Sequence, residues 1–317
     1  MYFIKLIRPL NLLIVALTMY GLGWFFESIY GKSETHGLFS LPYSLLVFST
    51  LIIAAAGNII NDYFDIKADR INKPKRLIIG KHIKRRVAIV SHWGLNFVAF
   101  CIAAYLSYVM DSFWYVFIHL LTINVLWFYS MRGKRLFFTG NLLIAALTAL
   151  VPILVGFYFH QIYFSTEITF NSDYYPFLGE LKENYIFYIS LGLACFAFVL
   201  NLAREIVKDM EDVEGDKKLP AKTLPIVLGY RKTKIIAAII LSATVVGTFI
   251  IWLATNSLDF VAIAPILFAA LMIVLCFILL PKATTIKEYR RINRLIKLAM
   301  VAGMFTPIYW NLLVIYG

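Results

Sequence analysis

Residues 58–70 read Asn58-Ile59-Ile60-Asn61-Asp62-Tyr63-Phe64-Asp65-Ile66-Lys67-Ala68-Asp69-Arg70 and directly follow a long apolar run. The three aspartates stand at positions i, i+3 and i+7, so on an α-helix they fall within about 60° of one face. Asn58 and Asn61 lie on nearly the same face. Like charges stacked in this way repel one another unless a cation lies between them, and Mg²⁺ prefers hard oxygen ligands. The segment therefore predicts a helix that carries a magnesium site.

The same spacing of aspartates recurs much later in the chain, at Asp209, Asp212 and Asp216. This second cluster also ends an apolar run and is also followed by lysines. Two acid clusters that face each other across a helical bundle suit a diphosphate bridged by Mg²⁺, because the metal stabilises the charge on a leaving diphosphate. The repetition predicts a pseudo-repeat within one domain over residues 1–317.

The composition is that of an integral membrane protein. Hydrophobic residues make up 61% of the chain and charged residues only 15%, against roughly 25% charged in soluble domains. The mean hydropathy is +0.78, and the apolar residues come in long blocks. An all-α, polytopic protein is expected, with nine membrane-spanning helices of about 20 residues each. These spans are predicted near residues 9–29, 42–62, 87–109, 112–131, 138–160, 185–207, 233–255, 259–280 and 297–316.

The positive charge is concentrated at one set of span ends. Of the 30 Lys and Arg residues, all but Lys32 and Lys182 fall on this side. By the positive-inside rule this side faces the cytoplasm, which places the N-terminus there too. Both aspartate clusters lie on the same side. The net charge of +12 is thus a topology signal, and nucleic acid is not expected as a partner.

Polar side chains beside the acid clusters are candidates for binding the oxygens of a diphosphate. The competing interpretation for the basic ones is that they anchor the protein to lipid headgroups. The candidates are Asn58, Asn61, Arg70, Lys75, Arg76, Arg204, Lys208 and Lys222. A further candidate segment is Tyr129-Ser130-Met131-Arg132-Gly133-Lys134-Arg135, at the cytoplasmic end of the fourth predicted span.

Taken together, these features resemble the UbiA superfamily of intramembrane prenyltransferases. The resemblance rests on Asn61-Asp62-Tyr63-Phe64-Asp65-x3-Asp69, on the second cluster and on the nine spans, and it covers nearly the whole chain. Within the superfamily, the segments around Asp69-Arg70-Ile71-Asn72-Lys73-Pro74, Arg204–Lys217 and Ala221–Pro225 are most similar to the digeranylgeranylglyceryl phosphate synthase branch.

The resemblance implies a helical bundle around a central cavity, a long-chain isoprenyl diphosphate as donor and Mg²⁺ as cofactor. The residues it implies as metal and diphosphate ligands are Asn61, Asp62, Asp65, Asp69, Asp209, Asp212 and Asp216. Tyr129 and Lys134 match the family's tyrosine-to-lysine loop. For this branch the acceptor is geranylgeranylglyceryl phosphate, whose free hydroxyl forms a second ether. One difference lies on the acceptor side, where many relatives have Pro-Ile-Pro-Ser-Gly and this chain has Leu77-Ile78-Ile79-Gly80.

We therefore predict an enzyme of ether-lipid synthesis in the cell membrane, with its active site on the cytoplasmic side. Within the same chemistry, the alternative is an aromatic-acceptor prenyltransferase of quinone, haem or chlorophyll biosynthesis. A secondary transporter is the alternative from another class, since it has a similar number of spans and a pseudo-repeat. However, transporters place their binding acids near the bilayer midplane, often on broken helices, whereas here the acids crowd one interface.

Overall fold

The computed structural model describes residues 2–30, 33, 35–72, 74, 77–163, 185–218, 221–254, 261 and 263–316. Apart from an isolated bridge between Ile79 and Ile83, the regular structure of these residues is helical. The α-helices are α1 (Tyr2–Ile7), α2 (Pro9–Tyr30), α3 (Leu41–Asn72), α4 (Arg85–Val109), α5 (Trp114–Met131), α6 (Thr139–Tyr163), α7 (Tyr185–Asp216), α8 (Leu224–Ala254), α9 (Ala264–Leu279), α10 (Ile286–Met304) and α11 (Thr306–Tyr316).

Helices of membrane-spanning length and apolarity account for most of the described chain. Seven helices, α2 to α8, are long and apolar enough to cross a bilayer, and α10 with α11 makes an eighth if the pair, bent by 43°, is counted as one span. Helix α9 is apolar but shorter, and the start of the span predicted at 259–280 lies partly outside the described residues. The chain is thus an all-helical, polytopic membrane protein, as its composition predicts.

The two helices that carry the aspartate clusters extend well beyond the predicted spans. Both α3 and α7 contain 32 residues, which at about 1.5 Å per residue gives roughly 48 Å. The hydrocarbon core is only about 30 Å thick, so one end of each helix projects beyond it. In both helices the polar end carries the acids. Helix α3 ends at Asn72, shortly before Pro74, which disfavours helical backbone in the residue before it.

The chain divides into two compact units, and the first comprises residues 1–16, 39–144 and 212–227. In this unit α3 packs against α1, α4 and α5. A buried cluster of Leu6, Ile59, Ile66, Ile79 and Ala88 lies along the motif end of α3. The loop that differs from relatives at 77–80 therefore contributes Ile79 to the core beneath the first motif.

The second unit comprises residues 17–38, 145–211 and 228–317. In it α9 packs against α10, and α11 contacts both. Small residues permit close approach: a Cβ atom on Gly303 would collide with the Phe196 ring, and one on Gly156 with the Ser190 side chain. Glu211 on α7 pairs with Arg290 on α10 at 2.9 Å. That residues 1–317 form one domain stays a prediction.

Candidate active site

The lysine of the 129–135 segment contacts the first aspartate cluster directly. Lys134 Nζ donates a hydrogen bond to Asn61 Oδ1 at 3.2 Å and forms an ion pair with Asp65. The exposed fractions of these side chains are 15% for Lys134 and 21% for Asp65, so the pair is largely shielded from water and its attraction is stronger than at an exposed surface. Charge-assisted hydrogen bonds of this kind hold a loop in a defined position.

A second cation reaches the same cluster from the N-terminal helices. Arg8 forms an ion pair with Asp62, whose side chain is 19% exposed. Arg8 lies in the break between α1 and α2 with a left-handed φ of 56°, an uncommon conformation for a residue other than glycine. Asn58 stabilises the break between α1 and α2, because its Nδ2 donates a hydrogen bond to the carbonyl of Ile7 at 3.0 Å. The predicted residue Asn58 is therefore engaged with protein backbone.

Tight backbone packing sets the position of Lys134. Helix α5 ends at Met131, and Gly133–Arg135 form a 3₁₀ turn. A Cβ atom on Gly140 would lie 2.7 Å from both the Gly133 carbonyl oxygen and Lys134 Cα, so only glycine lets the start of α6 approach this turn. Tyr129, also predicted from the sequence, is buried one turn earlier, with 7% of its surface exposed.

The end of the second motif helix lies in the same compact unit as the first motif. Asn72, the last residue of α3, donates from Nδ2 to the Asp212 carbonyl at 3.0 Å. Its Oδ1 accepts the N–H of Gly215 at 2.9 Å. The structure thus brings together the ends of the two helices that carry Asp62, Asp65 and Asp69 and, on the other side, Asp212 and Asp216.

The other residues predicted from the sequence do not all lie beside the first aspartate cluster. Arg204 and Lys208 belong to the second unit, where both pair with the buried carboxylate of Glu205 at 2.6 and 3.2 Å. Asp209 also lies in that unit. Arg70 and Lys222 are exposed, and the Lys222 backbone N–H donates to the Arg135 carbonyl at 2.9 Å. Lys75 and Arg76 lie outside the described residues.

The donor atoms of the clusters fit Mg²⁺ better than a softer metal. All six motif aspartates are partly buried, and Asn61 adds an amide oxygen. In the described part of the chain, no three His, Cys, Asp or Glu side chains converge into a preformed metal cage. Mg²⁺ is commonly held by one or two carboxylates together with substrate phosphates rather than by an all-protein cage. The residues therefore suit a metal that is shared with a phosphorylated ligand.

Comparison with known proteins decides the family. A model of the UbiA prenyltransferase family matches residues 33–301, which is most of the chain. The chain belongs to the UbiA prenyltransferase family. It is therefore an integral-membrane prenyltransferase, and the transporter alternative is not supported.

Relatives of this UbiA family member include curated digeranylgeranylglyceryl phosphate synthases. The one from Thermococcus gammatolerans is 35% identical over 223 residues, which cover 70% of each chain. The one from Thermococcus sibiricus is 33% identical over 250 residues, covering 78% of this chain and 76% of the relative.

Solved structures share the fold. A structure described as digeranylgeranylglyceryl phosphate synthase in membranes matches with a TM-score of 0.64 and 22% identity, covering 97% of this chain and 98% of the other. A UbiA homologue from Archaeoglobus fulgidus bound to GPP and Mg²⁺ matches with a TM-score of 0.58 and 18% identity, covering 97% and 99%.

Two residues that contact the aspartate motifs of this UbiA family member, Arg8 and Asn72, are not among the candidates that the sequence predicts. Arg8 is one of the basic residues that predict the topology, and its place just before Pro9, on the same side as the aspartate clusters, is a signal that could have identified it as a contact of the first cluster. Asn72 enters the sequence analysis only as part of the Asp69–Pro74 segment that supports the family resemblance. No local sequence pattern could predict its contact with the end of α7, since its hydrogen-bond partners lie 140 and 143 positions later in the chain.

Replacing Gly140 with alanine should weaken both the fold and the activity. The new methyl group would collide with backbone atoms of Gly133 and Lys134, and relieving such overpacking costs about 1–3 kcal/mol. We expect a lower thermal unfolding midpoint and a roughly tenfold loss of prenyl transfer, since a displaced catalytic group commonly costs one to two orders of magnitude. Gly94→Ala is the matched control, because a Cβ there meets nothing within 4 Å. Equal behaviour of the two variants would contradict the prediction.

Proposed function

We propose that this protein transfers a geranylgeranyl group from its diphosphate to geranylgeranylglyceryl phosphate in a Mg²⁺-dependent reaction of ether-lipid synthesis. The observation that carries the reaction type is the junction at Asn72, which joins the ends of both aspartate helices. Two helices that carry carboxylates and meet at one junction suit a ligand with two phosphate groups. The acceptor is supported by the identity of 35% to a curated digeranylgeranylglyceryl phosphate synthase.

The acids of both clusters would hold the metal. They are Asp62, Asp65, Asp69, Asp209, Asp212 and Asp216, with Asn61 as a neutral oxygen ligand. Mg²⁺ held by these residues would neutralise phosphate oxygens and stabilise the charge on the departing diphosphate. Lys134 and Arg8 already pair with cluster carboxylates, which supports a role for their N–H groups as donors to phosphate oxygens.

The protein's aromatic side chains would protect the developing allylic cation. Aromatic faces attract cations, and the ring of Phe64 contacts those of Tyr63 and Trp127 with centroid separations of 5.3 and 5.7 Å. In the transfer, the C1–oxygen bond breaks with its electron pair on the departing diphosphate, the acceptor's hydroxyl oxygen bonds to C1, and the hydroxyl proton passes to the diphosphate or to water. Because the reaction is an ionisation followed by capture, no covalent intermediate with the enzyme is needed.

We further propose nine spans around a central cavity, with the N-terminus and the active site on the cytoplasmic side of the cell membrane. Seven long helices, the bent pair α10–α11 and the short apolar α9 are compatible with that number. The orientation is supported by the positive-inside rule, since Arg8 and Lys134 lie beside the first acid cluster at the basic ends of the spans.

Product analysis tests the function directly. The protein, purified in lipid nanodiscs, is supplied with Mg²⁺ and labelled geranylgeranyl diphosphate, and with geranylgeranylglyceryl phosphate or 4-hydroxybenzoate in separate reactions. We expect label in the double ether only, and no transfer after chelation of the metal. Transfer to the aromatic ring would overturn the acceptor and favour quinone, haem or chlorophyll biosynthesis. An absence of any diphosphate release in both reactions would overturn the reaction itself.

A further inference from the structure

Asn72 is the residue at which the two aspartate helices meet in the first compact unit. It is the last residue of α3, three positions after Asp69. Its side-chain amide makes two backbone hydrogen bonds to the last turn of α7, to the Asp212 carbonyl at 3.0 Å and from the Gly215 N–H at 2.9 Å. Both ends of the amide are used, so its orientation is fixed by complementarity of donor and acceptor.

The opposite side of the contact is shaped to receive this amide. A Cβ atom on Gly215 would lie 2.7 Å from Asn72 Cγ and 2.8 Å from Asn72 Oδ1. Any side chain at position 215 would therefore push the asparagine away. Gly215 is buried and stands between Asp212 and Asp216, so the contact falls inside the second motif.

We propose that Asn72 is a positioning residue that sets the distance between the first aspartate cluster and the carboxylates of Asp212 and Asp216, which lie in the same compact unit, and thereby the affinity for the metal–diphosphate ligand. The proposal deepens the function proposed above and rests on it. Carboxylates from two helices can share metals bridged by one diphosphate only if the helix ends keep a fixed separation, and functional groups need to be held within about 0.5 Å. Asn72 supplies this constraint without contacting the ligand.

The effect of losing the constraint is expected in metal binding more than in folding. Partners that orient metal ligands typically contribute 10- to 100-fold in metal affinity. For Asn72→Ala we expect a 10- to 100-fold rise in the Mg²⁺ concentration that gives half-maximal activity, with an unchanged KM for the acceptor. A general loss of stability would lower the amount of active protein without shifting the metal requirement.

Direct binding provides a readout that does not depend on turnover. Free Mn²⁺ is measured by electron paramagnetic resonance during titration of the intact protein in nanodiscs with Mn²⁺ and geranylgeranyl thiolodiphosphate, an unreactive analogue of the donor. The matched control is Asn124→Ala, since the Asn124 side-chain amide also donates to a backbone carbonyl, that of Leu120 at 2.7 Å, but within its own helix α5. We expect weaker Mn²⁺ binding for Asn72→Ala and wild-type binding for Asn124→Ala.

A cross-link tests whether the role is positional. Because the Cβ on Gly215 lies 2.7 Å from Asn72 Cγ, and Cγ is one bond from its own Cβ, the two Cβ atoms are within the roughly 4.5 Å upper limit for a disulfide. The double variant N72C/G215C is made in a background in which the free cysteines Cys101, Cys195 and Cys276 are replaced. Reduced, it should bind Mn²⁺ as weakly as Asn72→Ala; oxidised, it should recover at least tenfold.

The outcomes separate the two proposals. If the wild type binds no Mn²⁺ with the analogue, the proposed function fails. If the wild type binds and Asn72→Ala binds within twofold of it, only the role of Asn72 fails. A disulfide verified by mass spectrometry that restores no affinity would also overturn that role. Should Asn72→Ala not fold, Gly215→Ala takes its place, because its methyl group collides with the same amide.

Discussion

Replacing Asp65 or Asp212 with asparagine is expected to reduce prenyl transfer by at least about 10³-fold, while the protein still inserts and folds. Each change is nearly isosteric but removes a negative charge from an acid cluster. At position 65 it also removes the carboxylate that pairs with Lys134, so the 129–135 segment loses one of its contacts to α3. At position 212 the backbone carbonyl that accepts from Asn72 is kept, and only the carboxylate is lost.

A matched control distinguishes the loss of a carboxylate from an acid cluster from the loss of one negative charge elsewhere in the protein. Asp111 lies in the turn between α4 and α5 with a φ of 47°, a conformation that asparagine tolerates well. Asp111→Asn therefore removes a carboxylate outside the clusters without straining the backbone. Rates are measured with labelled donor, and folding by thermal unfolding in nanodiscs. Near-normal turnover in Asp65→Asn or Asp212→Asn would contradict the assignment of the clusters as metal ligands.

For Lys134→Met we expect a loss of about 10²-fold in the rate of transfer, the usual effect of removing one donor that stabilises a developing charge. Methionine keeps most of the length and the apolar stem but cannot donate to Asn61 or pair with Asp65. Because the missing cation would stabilise a leaving diphosphate more than a bound one, the fall should appear in kcat more than in the KM for the donor.

The control for Lys134 is a lysine with its own partners outside the clusters. Lys234 Nζ donates to the Pro281 carbonyl at 3.0 Å and lies over the Tyr289 ring, so Lys234→Met removes a partnered cation from the second unit. We expect wild-type turnover for this variant. If Lys134→Met raised only the KM for the donor and left kcat unchanged, Lys134 would be a binding group rather than one that acts during bond breaking.

Local sequence patterns were sufficient to predict the helix that carries the first acid cluster and the membrane helices around it. The i, i+3, i+7 spacing of Asp62, Asp65 and Asp69 predicts a helical face, and α3 does continue through all three. The long apolar blocks predict membrane helices because burial in lipid depends on composition over about 20 residues. The asymmetric distribution of Lys and Arg predicts an orientation, which stays a prediction.

Periodicity and composition are read within one segment, whereas the architecture of the site depends on side chains that meet from distant segments. The chain alone, from its local spacing, specified the acid clusters, the membrane class and the family. The fold alone assigned Arg8 to Asp62, Arg204 and Lys208 to Glu205, and Asn72 to the last turn of α7. The three basic residues had the same appearance in sequence, and packing geometry selected the partner of each. That selection requires three-dimensional contact, since charge and spacing along one helix carry no information about which other helix lies beside it.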